Sequence, residues 1–152
     1  DSQIVTEQTL LGKVYVADFF FTNCPSICPA MTGQKLRIYE QFKDELNVLM
    51  VSHSVDPRHD SVGVLKVFAE NIGISSSKWH LLTGDQDYIH NLGIKKYLLP
   101  AGTDEGAPGG FLHSDKLVLV DKKGRIRGMY SGTNKERVNQ LMKDITRLLK
   151  EV

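Results

Sequence analysis

Residues 13–21, KVYVADFFF, form a nearly continuous run of apolar, β-branched and aromatic side chains, the pattern of a strand buried on both faces. A helical stretch over about residues 28–43 follows, with Met31, Leu36, Ile38, Tyr39 and Phe42 as its apolar positions. Residues 46–53, LNVLMVSH, read as a second buried strand. Asp60 and Ser61 are both placed to cap a helix that carries Val64, Leu65, Val67, Phe68 and Ile72 and stops at Gly73. Residues 79–82, WHLL, make a short strand, and Asp85 or Asp87 opens a helix that runs to about Tyr97. The Gly-, Pro- and Ala-rich stretch 99–112 reads as an exposed loop. Residues 116–121 and 125–130 then pair as a hairpin whose polar turn contains Lys122, Lys123 and Gly124. An amphipathic helix follows from about Asn134 to Lys150, with Val138, Leu141, Met142, Ile145, Leu148 and Leu149 on one side.

The resulting order is βαβα, βα, ββα. Alternating strands and helices require a central, partly parallel sheet with helices on both faces, and the hairpin adds antiparallel strands. The expectation is an α/β, thioredoxin-like domain over residues 1–152, with a polar opening segment to about Leu11 left unassigned. A length of 152 residues suits one domain, and there is no repeat, low-complexity tract or linker-like shift in composition. Hydrophobic residues make up 41% and charged residues 24%, the balance of a folded globular chain. The net charge is +1 with both signs interspersed, which argues against a nucleic-acid partner and leaves docking through a local charged patch open. No stretch reaches the ~18 apolar residues of a membrane span and no signal peptide is visible. Starting at Asp1, the sequence reads as a mature protein or a fragment, and any membrane association is expected through an anchor absent from it.

Candidate chemistry centres on the two cysteines, Cys24 and Cys28. A loop this short gains little from a disulfide staple, so redox chemistry or metal binding explains the pair better than structure does. Both follow directly on a buried strand, where a helix begins. Open α/β sheets place their ligand crevices at that edge, and a helix N-terminus stabilises a thiolate. Three residues, Pro25, Ser26 and Ile27, separate the cysteines, and positions i and i+4 of a helical turn share a face. Two thiolates there suit Cu(I), and an added imidazole suits Cu(II). The same pair can also close as a disulfide, so spacing leaves metal binding and thiol redox both open.

A third ligand would come from elsewhere in the chain. His113 ends the Gly/Pro-rich loop just before KLVLVD, a strand that neighbours the cysteine-bearing one in a thioredoxin-like fold. His53 ends a strand near the sheet edge, His59 and His90 occupy polar positions, and His80 lies in a short strand beside Trp79. Met31, Met50, Met129 and Met142 each fall in an apolar element and are assigned to the core rather than to copper.

FFFTNCPSICPAM resembles the signature of the Sco/SenC family, an apolar strand followed by F-T-x-C-P-x-x-C-P. HSVDPRHDS after the second strand, HSDKLVLVDKKGRI around His113 and the closing helix match in the same order, so the similarity runs from about Gly12 to the end. The resemblance implies a thioredoxin-fold protein that binds one copper through Cys24, Cys28 and His113. It also implies a role in assembling the binuclear copper site of cytochrome c oxidase. The partners it implies are the copper-site subunit of that oxidase or another copper donor or acceptor. The location it implies is periplasmic or otherwise extracytoplasmic, tethered to a membrane, or the mitochondrial intermembrane space in a eukaryote. Asp56, in SVDP, matches a family position near the site and is not assigned as a ligand. Leu112 stands where many relatives carry Asp, and Thr22-Asn23 replaces the more frequent Thr-His, changes that affect the surroundings of the ligands only.

Two other activities compete. A thiol–disulfide oxidoreductase acting on an exported or oxidase partner would use Cys24 as attacking and Cys28 as resolving thiol, without His113. It would usually carry proline before the facing strand, where this chain has His113-Ser114-Asp115-Lys116. A copper or redox sensor would instead order the 99–112 loop as His113 is drawn to the thiolates. A peroxiredoxin is disfavoured, since Asp18 stands where its P-x-x-x-T-x-x-C pattern needs proline.

Overall fold

The computed structural model describes residues 10, 12–20, 27–54, 60–75, 78–83 and 116–151. The first apolar run forms β1, Val14–Phe20, and the next segment forms α1, Ile27–Phe42. Strand β2 covers Val48–Ser54, helix α2 Val62–Ile72 and strand β3 Trp79–Leu82. The hairpin comprises β4, Lys116–Val120, and β5, Ile126–Ser131, and is followed by α3, Lys135–Leu149. The expected helix from Asp85 or Asp87 to Tyr97 and the 99–112 loop lie outside the described residues.

The strands join in one mixed sheet of order β3-β2-β1-β4-β5. β1 pairs parallel with β2, and β2 pairs parallel with β3, whereas β4 runs antiparallel to both β1 and β5. In-register pairs share a face. Val14, Val16, Met50, Trp79, Leu117 and Leu119 therefore face the same way and build the core with Met31, Ile38 and Phe42 of α1 and Val138, Leu141 and Ile145 of α3. Tyr15, Ala17, Phe19, Leu49, Val51, Val118 and Val120 point the other way and are equally buried. The burial of β1 and β2 on both faces is what their nearly continuous apolar runs require.

Local signals settle the element ends. Ser61, rather than Asp60, is the N-cap of α2: its Oγ accepts the Val64 N–H, and Gly73 ends the helix in the left-handed region at φ 77°. Asn134 caps α3 by accepting the N–H groups of Glu136 and Arg137. Leu46, expected at the start of β2, is 82% exposed in the turn before it, because pairing with β1 begins only at Val48. Val67 is on the outer face of α2, and Met129, expected in the core, is only half-buried on the edge strand β5. Gly128 is required by close approach: a Cβ there would stand 2.7 Å from the Tyr130 hydroxyl, whose ring crosses it to donate to Asp144 of α3 at 2.5 Å. Arg137 lies over that ring at 5.1 Å.

The edge opposite the C-terminal ends of β1 and β2 is tied by the hairpin turn. Lys122 Nζ donates to the Leu149 and Glu151 carbonyls at 2.9 and 3.1 Å, satisfying acceptors at the end of α3, and its own carbonyl accepts the Gly12 N–H. Arg127 holds the Glu151 carboxylate through both nitrogens of its fork at 2.7 and 3.1 Å.

Candidate metal centre

The sheet register decides which chain segments meet. β1 and β4 pair antiparallel with Ala17 opposite Val118, so the end of β1 and the start of β4 lie at one edge of the sheet. The C-terminal ends of β2 and β3 lie there too, because both run parallel to β1. The chain leaves β1 toward β2 on one side, while β4 occupies the other, which makes this edge the switch point where α/β sheets bind ligands.

Of the expected ligands, Cys28 lies in the first turn of α1. Cys24 falls between the end of β1 and the start of α1, and His113 three residues before β4; both lie outside the described residues, as do Asp56, His59 and His90. Position 28 is three residues before Met31 and seven before Lys35 in the same helix. The first turn of α1 holds no acidic residue to offset the positive end of the helix.

The described histidines have other surroundings. His53 is buried near the end of β2 with its ring stacked on Phe19 at 5.1 Å. His80 on β3 is half-buried, and that burial lowers its pKa. Among the described residues, no three His, Cys, Asp or Glu side chains converge on a point that could hold a metal ion.

Beneath the edge lies a buried polar network. Lys35 Nζ of α1 donates to Asp18 Oδ2 of β1 at 2.7 Å, with the two side chains 3% and 2% exposed. Ser52 Oγ of β2 donates to Asp18 Oδ1 at 2.5 Å and accepts the Trp79 Nε1–H of β3 at 2.9 Å. The ammonium also stands 5.3 Å from the centre of the Trp79 ring. Six residues after Ser54, Asp60 is fully buried and accepts the Ser54 hydroxyl at 2.7 Å, fixing the start of α2 to the end of β2. The sequence carries a signal for the first pair. Asp18 shares strand phase with Val14 and Val16, and Lys35 shares helix phase with Met31 and Ile38, so each charge occupies a core position.

The sequence profile described as SCO1/SenC matches residues 1–150. The SCO1 protein homolog of Bacillus subtilis is 33% identical over 147 residues, covering 95% of this chain and 76% of that protein. A SCO1/SenC family lipoprotein from Bacillus anthracis superposes with a TM-score of 0.84 at 34% identity, over 94% of this chain and 85% of that one. BsSco, a Sco-family cytochrome c oxidase assembly protein in which a disulfide switch was identified, gives a TM-score of 0.82 at 31% identity. That match covers 97% of this chain and 87% of BsSco. Yeast Sco1 with copper bound gives 0.72 at 26% identity, over 97% and 82%.

Proposed function

The chain belongs to the SCO1/SenC family, and from that premise we propose that it carries one copper ion on Cys24, Cys28 and His113 for assembly of the cytochrome c oxidase copper site. The observation that supports this most is the antiparallel register of β1 and β4. It brings the strand that leads to Cys24, the strand that follows His113 and the helix turn holding Cys28 to one edge of the sheet. The thioredoxin-like fold itself is common to this chain and its Sco neighbours.

The donor set suits the cargo. Two thiolates favour soft Cu(I), and a neutral imidazole makes Cu(II) acceptable at the same three ligands. Ligation requires both thiols to lose their protons, so binding releases protons and weakens as the pH falls. The positive end of α1 favours the thiolate at position 28 without a further charged group. The domain then works outside the cytoplasm, as a lipoprotein relative and mitochondrial Sco proteins suggest, with the oxidase copper-site subunit or another copper protein as its partner. No helix among the described residues is long and apolar enough to cross a membrane.

A second reading has its own support in the disulfide switch of BsSco. The same two cysteines would give up two electrons and two protons to form one S–S bond, with a partner disulfide reduced to two thiols.

Copper titration of the reduced protein, with and without His113→Ala, separates these readings. Stoichiometric binding with a strong thiolate-to-Cu(II) charge-transfer band, lost or sharply changed in the variant, is expected for the copper carrier. Weak binding, or a variant that behaves as wild type, would leave the dithiol reading in its place.

A further inference from the structure

Neither copper ligation nor disulfide formation uses the buried Asp18–Lys35–Ser52–Trp79 network, and apolar packing would hold the same elements as well or better. Replacing a buried ion pair with apolar side chains of similar volume is often neutral or stabilising. We propose that the network is a register lock: it fixes the height and rotation of α1 against β1, and thereby the geometry of the Cys24–Cys28 pair. Asp18 and Lys35 are thus positioning residues, and this inference rests on the reading of Cys24 and Cys28 as one working pair.

The geometry follows from chain positions. Lys35 lies seven residues after Cys28, about 10 Å along the helix axis, and helical side chains lean back toward the N-terminus. Asp18 lies two residues, about 7 Å, before the end of β1 and six residues before Cys24. One charge therefore sits on the helix that bears Cys28 and the other on the strand that leads to Cys24, and a 2.7 Å bond joins them.

Apolar contact is non-directional and lets a helix shift on its bed at little cost. A charge-assisted hydrogen bond in a buried site does not, since a small slip leaves a charge unpaired. Asp18 cannot follow a displaced lysine either, because the Ser52 hydroxyl holds its second oxygen and is itself held by Trp79.

A disulfide demands a narrower range of Cα separation and torsion than two thiolates do, so it is the state that loses most when α1 is freed. The test measures the equilibrium constant for thiol–disulfide exchange with glutathione in the full chain, metal-free, for wild type and Asp18→Val/Lys35→Met. The double variant is expected to unfold at the same urea concentration as wild type or higher, while its constant shifts about tenfold toward the dithiol, roughly 30 mV. Ser52→Ala, which removes one clamp and keeps the ion pair, is expected to shift it about threefold the same way, and decides the matter if the double variant does not fold. Tyr130→Phe, which removes the bond to Asp144 and none of the network's hydrogen bonds, is expected to lose stability and leave the constant unchanged. A constant within twofold of wild type in the folded variants, or one displaced toward the disulfide, overturns the lock. A wild type that forms no Cys24–Cys28 disulfide with glutathione overturns the paired-cysteine reading and the lock together.

Discussion

Asp121 is a buried carboxylate whose solvent is the protein itself. Its Oδ1 accepts the N–H groups of Lys123 and Arg125 at 2.9 Å each, and its Oδ2 accepts from the Arg125 and Arg127 guanidinium groups at 3.0 and 3.1 Å. Burial pushes its pKa up, but the bonds from Arg125, Arg127 and Lys123 outweigh that and hold it at about 2. A depressed folded-state pKa contributes stability above the unfolded value near 4, and the contribution is lost as the pH falls toward 2. Asp121→Asn is therefore expected to unfold at lower urea than wild type at pH 7, with the gap closing between about pH 4 and pH 2; a gap independent of pH would contradict the assignment. Asp121 was readable only as a strand end, and Asp18 and Lys35 only as interruptions, because apolar phase locates the core without naming the partner that makes a charge acceptable there. Met129 and Val67 erred the other way: each is apolar, but an edge strand and an outer helix face leave it in contact with water.

Element boundaries were legible where capping chemistry is local. The residue pair Asp60-Ser61 offered two oxygen acceptors for one helix start, and tertiary burial chose between them: Asp60 went to Ser54 of β2, leaving Ser61 for the Val64 N–H. Ser61→Ala is expected to cost about 1 kcal/mol, the usual loss of an N-cap, measured as a lower urea midpoint with unchanged slope. Asp60→Leu is expected to cost more, since it leaves a buried hydroxyl without this acceptor. The strands were legible as apolar runs, and the pairing of β4 with β1 was expected from the thioredoxin-like element order rather than from the runs themselves. Placing β4 beside β1 rather than beyond β3 depends on contacts across about 100 residues of chain, which no window of sequence contains. The antiparallel register of that pair, which sets the end of β1 and the start of β4 at one edge, is what the sequence could not supply.

At the scale of the molecule, a copper ion on Cys24, Cys28 and His113 would cross-link segments joined to β1, α1 and β4. Binding to the folded state alone should raise its stability by mass action, about 2.7 kcal/mol at a hundredfold excess over Kd, or roughly 5–10 °C in Tm for a chain of this size. Stoichiometric copper is expected to raise Tm in wild type and not in Cys28→Ser, and scanning calorimetry checks it. The hairpin turn has a different consequence. Lys122 gathers Gly12, the end of α3 and the Glu151 carbonyl at the edge where β1 begins. Both ends of the described chain thus leave from one side, and the seven residues of β1 put the cysteine edge about 20 Å away on the other. The sheet works as a short boom, with the hairpin turn, Gly12 and Glu151 at one end and the end of β1 and the start of β4 about 20 Å away at the other.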